Sequence, residues 1–194
     1  HVRSRRQRQM CIRDRSKLDS NHEQLTQSLA QFHQLNAREQ THVLLQLIDN
    51  GHYDFKETIH YLLSHSTFEN NIVSLMIEYL RFAQSESIVT VTKYGTTVNI
   101  IPKELSGLEH TTLKSIILPK VIENLEDGAI HIVDEASHIM NNHSILLYPL
   151  NIESLFPIED WIVAYDVYFK SMLGIDDNVV NQDVLSYIYQ LDKQ

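Results

Sequence analysis

The chain has 194 residues, 43% of them hydrophobic and 8% aromatic, enough for one domain with a proper core and too apolar for a disordered chain. Its net charge of −9 is divided unevenly: residues 1–20 hold seven basic and two acidic side chains, the remainder nine and twenty-three. An acidic body of this kind excludes phosphate-backbone binding spread over residues 21–194, and no stretch reaches the ~18 apolar residues of a membrane span.

The first segment, HVRSRRQRQMCIRDRSK, has neither helical nor strand periodicity. It reads as a disordered basic arm or as sequence foreign to the native protein, and its arginines lack the apolar region of a secretory signal. Cys11, the only cysteine, excludes an internal disulfide and a thiolate zinc centre and fits a reducing, cytoplasmic setting.

From Asn21 the pattern is helical. Leu25, Leu29 and Phe32 space a first helix. Asn36 with Glu39 forms a capping box for a second, whose face is Val43, Leu44, Leu47 and Ile48 and whose end is Asn50-Gly51. Asp54 is expected to cap a third, carrying Ile59, Leu62 and Leu63 inward. A fourth is expected from Ser66 or Thr67, with Ile72, Leu75, Met76, Tyr79 and Leu80 on its inner face and Glu78 and Arg81 outside. Connections this short imply an antiparallel helical arrangement.

Composition changes after Gln84. The β-branched runs 88–92 and 96–101 flank Lys93-Tyr94-Gly95 and predict a hairpin. Leu108 to Glu126 is helical in pattern, with Pro119 kinking the helix or opening a new one, and Asp127-Gly128 stops it. Ala129 to Val133 and Ser144 to Tyr148 are read as further strands. After Pro149, Ile158, Trp161, Ile162, Tyr165, Phe169 and Met172 mark a helix ended by Gly174, with Asp166 and Lys170 paired outside. A last helix, from Asp177 or Asn178, carries Val180, Val184, Tyr187, Ile188 and Leu191 inward.

These elements predict an α+β class: a predominantly α-helical domain with a small antiparallel or mixed sheet, the hairpin 88–101 joined by strands near 129–133 and 144–148. The domain organisation expected is a leader over 1–20 and one acidic globular domain over 21–194, helical over 21–84, mixed over 87–149 and helical over 151–192.

Candidate chemistry gathers in Gly128 to Tyr148, GAIHIVDEASHIMNNHSILLY, where an apolar run meets two acids and three histidines. On a helix, Asp134 and Glu135 lie four and three residues before His138 and share its side. Two carboxylates and an imidazole can ligate one metal ion. His143 joins them only if Asn141-Asn142 turns the chain. Glu-x-x-His, the spacing of di-iron carboxylate bundles, occurs three times, at Glu39–His42, Glu57–His60 and Glu135–His138, the last two followed by His65 and His143. The metal set is therefore Asp134, Glu135, His138, His143, Glu57 and His60, with iron, manganese or zinc as the cofactor; the spaced oxygens of a calcium loop are missing.

Leu105-Ser106-Gly107 and the apolar run ending in Asp134-Glu135 resemble the signature and Walker-B segments of ABC-type ATPases. The resemblance implies a magnesium-holding role for Asp134 and a water-orienting role for Glu135. It covers about thirty residues, and the chain has no G-x-x-x-x-G-K-[ST] phosphate loop. An adaptor or fragment related to those ATPases is the form this reading takes.

Of the remaining candidates, His131 interrupts the expected strand, and Trp161, Tyr165 and Tyr168 offer an aromatic interface. No serine sits in an activated setting. The reading placed first is a non-enzymatic regulatory or protein-interaction domain with a protein partner and no membrane insertion. The metal protein and the ATPase relative are its alternatives.

Overall fold

The computed structural model describes residues 21–175 and 181–193. The basic leader with Cys11, the start of the last helix at Asp177 or Asn178, and Val180 lie outside the described residues. The chain is predominantly helical with one small antiparallel sheet, and it divides into two compact units between Ser85 and Glu86. That boundary falls where the composition changes, inside the span read from sequence as one domain.

The first unit follows its apolar periodicity. Helix α1, over 21–30, buries Leu25 and Leu29, and Phe32 closes beneath it in a short 3₁₀ turn. Helix α2 (Ala37–Asp49) starts at the expected capping box: the Asn36 side chain accepts from the Glu39 amide and the Glu39 carboxylate from the Asn36 amide, each at 3.0 Å. It stops at Gly51, whose φ of +65° suits a residue without a Cβ.

Helix α3 (Lys56–His65) does not start at a capping aspartate. A 3₁₀ turn, Tyr53–Phe55, precedes it, and the Asp54 carboxylate is taken by His22 at 2.6 Å. Helix α4 (Asn70–Phe82) begins later than expected, because residues 66–69 are non-helical. It packs on both α2 and α3 through Ile72, Met76, Tyr79 and Leu80. Glu78 is buried, not external, and Arg81 grips it at two points, Nε to Oε2 at 2.9 Å and Nη2 to Oε1 at 2.7 Å.

The second unit opens with the hairpin of β1 (Val89–Lys93) and β2 (Thr96–Ile100), in which Val91 faces Val98 across the ladder. Tyr94 and Gly95 form its two-residue turn, both with positive φ, the geometry whose twist matches a right-handed ribbon. Val89, Val91 and Lys93 point inward, while Thr90 and Thr92 face out and bond to Asn99 and Thr97 at 2.7 and 2.9 Å.

No third strand joins this pair among the described residues. The strand expected over 129–133 is a 3₁₀ turn, Ile130–Ile132, running into helix α6 (Val133–Leu147), and the one expected over 144–148 is the end of that same helix. The burial pattern explains the correction. Ala129, Ile132, Ala136, Met140 and Leu147 are buried at steps of three, four or seven, whereas Ile130 and His131 are exposed together, which no alternating strand permits.

Before α6, a π-helical turn (Leu113–Ile117) passes into helix α5 (Leu118–Glu126), with Pro119 in its first turn, where the missing amide costs nothing. Helix α7 (Ile158–Met172) packs on α5 and on helix α8 (Gln182–Leu191), burying Trp161, Tyr165, Tyr168 and Phe169. Asp166 and Lys170 pair along its surface at 2.6 Å, while Met172 is exposed instead of completing the stripe.

Candidate functional site

Helix α6 carries most of the candidate ligands and sends them to opposite sides. Asp134 and Glu135 occupy its first turn, where the helix dipole favours acids, and they are exposed together with His138. The helix runs unbroken through Asn141 and Asn142, so no turn brings His143 back to that face. Five residues on, His143 instead enters the core and is 1% exposed.

Glu57 and His60 belong to the first unit. Glu57 is exposed, and the His60 ring lies 2.7 Å from the Ser85 hydroxyl, with burial lowering its pKa. His65 bonds to the Tyr61 carbonyl and stacks on the Tyr61 ring. Among the described residues, no three His, Cys, Asp or Glu side chains form a group that could hold a metal ion. The Walker-B comparison loses its strand as well, since Asp134 and Glu135 follow a 3₁₀ turn. His131, expected to interrupt a strand, is exposed on that turn.

Two buried side chains of the second unit, His143 and Lys93, each make a set of polar contacts across the sequence. In the first, the His143 ring lies 3.0 Å from the Tyr165 hydroxyl through Nδ1 and 3.0 Å from Asp192 Oδ1 through Nε2, and the Tyr168 hydroxyl donates to Asp192 Oδ2 at 2.6 Å. With its proton on Nε2, a neutral ring donates to the carboxylate and accepts from the tyrosine, so each group is satisfied. Burial lowers the His143 pKa against the opposing pull of Asp192, and burial raises those of Tyr165 and Tyr168. This chain of contacts fastens α6, α7 and α8 to each other.

In the second, the Lys93 ammonium, 2% exposed, donates to the carbonyls of Leu146 and Tyr148 at 3.0 and 2.6 Å. It caps the end of α6 from the hairpin, where cations complement the helix dipole. Burial pushes its pKa down to about 7, and the two carbonyls pull the other way.

Sequence reasoning missed both anchors. Lys93 was legible only as an inward position of a strand, the one polar residue in phase with Val89 and Val91. Asp192 lies near the end of the chain and has no local pattern that marks it.

Trp161, Tyr165 and Tyr168, expected at an interface, are core residues instead. The indole is fully buried against Phe156, Tyr165 and Tyr187, and its Nε1 donates to the Ile152 carbonyl at 3.2 Å. With both the apolar body and the polar edge satisfied, nothing of it is left to meet a partner.

No protein-family model matches this chain. Neither a curated protein nor a solved structure matches it. Its chemistry therefore has to be read from its own residues. The second unit has a cleft of about 290 Å³ between the segment from Leu105 to Leu113 and the turn from Tyr148 to Glu153 after α6. Lys93 holds the Tyr148 carbonyl at the start of that turn, and the Asn151 side chain accepts from the Glu153 amide at 3.1 Å, so the wall is held from behind.

Proposed function

We propose that this chain is a non-enzymatic regulatory or protein-interaction domain that works in the cytoplasm. The observation that carries the reading is the closure of the His143–Asp192 pair. An imidazole joined to a carboxylate is the most catalytic-looking constellation in the second unit, yet both ring nitrogens are engaged and the ring is sealed from solvent. A general base has to reach a substrate proton, and among the described residues this one reaches only Tyr165 and Asp192.

The outward surface has a different character. Ile130 is 71% exposed and Tyr61 62% exposed, one large side chain in each unit that a partner could bury. The single cysteine supports a reducing compartment, and among the described residues no helix is long and apolar enough to cross a membrane.

The test is capture of partners from source cells with the full chain, followed by calorimetry with each purified partner. Ile130→Asp or Tyr61→Asp is expected to weaken the true partner by ten-fold or more at unchanged Tm. A catalytic turnover that vanishes in a folded His143→Gln variant would reverse the assignment.

A further inference from the structure

The cleft of the second unit has a lining that selects among ligand chemistries. Its base is apolar, with Leu113, Leu147 and Ile152 all buried. On one side the hydroxyls of Thr111 and Ser144 lie 2.6 Å apart, and the Lys114 amide also reaches the Thr111 oxygen at 3.4 Å. Two hydroxyls bring two protons, and their mutual bond uses one. The other has no acceptor among the described residues, so this wall offers a donor.

On the other side, Glu153 accepts from the Thr112 hydroxyl through Oε1 at 2.9 Å. Its second oxygen has no protein partner among the described residues and, being exposed, can exchange water for a ligand donor. No lysine or arginine lines the cleft, and the one basic side chain in its lining is the exposed imidazole of His110.

These requirements sort the candidates. An anion meets the Glu153 carboxylate with only the His110 imidazole, and no permanent cation, to offset it. An ammonium satisfies Glu153 but has no lone pair for the waiting hydroxyl proton. A carbon-bound hydroxyl donates and accepts at once, and a ring carrying several presents C–H faces that suit an apolar base. We infer that the cleft between Leu105–Leu113 and Tyr148–Glu153 binds a neutral polyhydroxylated ring, a monosaccharide or a cyclic polyol. Its volume, about 290 Å³, sits at the small end of ligand sites and suits one ring rather than a chain of them. Such a ligand binds whether or not the chain has a protein partner.

The experiment is a titration of the full chain, followed by amide NMR shifts, with D-glucose, D-galactose and myo-inositol as probes. Glucose 6-phosphate and spermidine serve as the charged comparisons. At least one neutral probe is expected to give saturable shifts confined to residues 105–113 and 144–153. Glu153→Gln keeps the acceptor for Thr112 and removes the charge, and should weaken binding about ten-fold, the loss expected for one charge-assisted hydrogen bond. Ser144→Ala removes a hydroxyl from the opposite wall, and Glu123→Gln, an exposed acid outside the cleft, should leave affinity unchanged. Because Glu153 is exposed, its variant keeps the fold even if Ser144→Ala does not. The proposal is overturned if no neutral probe gives saturable shifts, if the shifts survive Glu153→Gln at full affinity, or if spermidine or the phosphate binds in their place.

Discussion

The two units are both helical, but they are held together by different means. The first relies on apolar faces and local end groups: a capping box at Asn36, a glycine stop at Gly51, a buried Glu78–Arg81 pair three residues apart. The second adds to a large apolar core around Trp161 two buried side chains that reach across the sequence, Lys93 to Leu146 and Tyr148, and His143 to Tyr165 and Asp192. Local devices make elements form where their sequence says they should. Distant ones add to the cooperativity of the unit, because each fixes the register of segments that the apolar core only holds together.

The largest expected effect comes from the core of the second unit. Trp161→Ala removes a fully buried indole and the donor to the Ile152 carbonyl, and should cost about 3–5 kcal/mol. Urea unfolding followed by circular dichroism measures it. A loss below 1 kcal/mol would mean that the aromatic cluster around Phe156, Tyr165 and Tyr187 does not hold this unit together.

Lys93 supplies the next test, through pH. Its folded pKa, about 7, lies below the 10.5 of the free side chain, so between those values the unfolded chain binds more protons and stability rises with pH. Between pH 7 and pH 9 the gain should be about 2 kcal/mol, less whatever the two carbonyls return to the charged form. Trp161 is the only tryptophan and lies in the second unit, so its fluorescence in urea reports that unit directly. Lys93→Met should flatten the dependence. An equal slope in both proteins would mean that the ammonium stays charged on its carbonyls throughout.

His143 gives a smaller effect on the acid side. Its folded pKa is depressed by burial, so its contribution is complete above about 6.5, the free value, and is lost as pH falls through the folded value. His143→Gln should lose part of the acid limb seen in the same fluorescence measurement. The variant leaves ten other histidines in place, so only the difference between the two proteins is assigned to this ring.

The contrast between the units also explains what could be read in advance. In the first, the spacing of Val43, Leu44 and Leu47, and of Ile72, Met76, Tyr79 and Leu80, gave the helices, and Asn36 gave the capping box. The hairpin was legible for the same reason, since β-branched runs flank a turn that needs positive φ. In the second, the short apolar-rich runs at 129–133 and 144–148 fit a buried strand and a buried helix equally by composition. Only the exposure of Ile130 and His131 side by side decides between them, and that is a tertiary fact. The site was less legible than the fold. Glu-x-x-His spacing says which side chains share a helical face, but it does not say whether the face looks inward, and two of its three occurrences lie in the first unit while the third looks to solvent.

In the first unit, Asn36→Ala should cost about 1 kcal/mol through loss of the cap. The drop should appear in the melting of the helices and leave the Trp161 fluorescence transition of the second unit where it was. A shift of both transitions by the same amount would show that the two units unfold as one, and the local devices of the first would then be stabilising the second as well.

The smallest effect belongs to the outer face of α6, and it sharpens the comparison most because it stays on one helix. His138 and His143 are five residues apart, the first exposed and the second sealed between Tyr165 and Asp192. His138→Ala should change the unfolding free energy by no more than about 0.5 kcal/mol, as exposed substitutions do. His143→Ala leaves the buried Tyr165 hydroxyl without its partner, while Asp192 keeps Tyr168 and solvent, and should cost about 1–3 kcal/mol. If the two variants lose equal amounts, the outer face is ordered by something beyond solvent, and Asp134 and Glu135, on the same face, are the first residues to suspect. If His138→Ala is silent and His143→Ala is not, the histidines of this helix sort by direction alone, one face carrying charge for the solvent and the other closing the core.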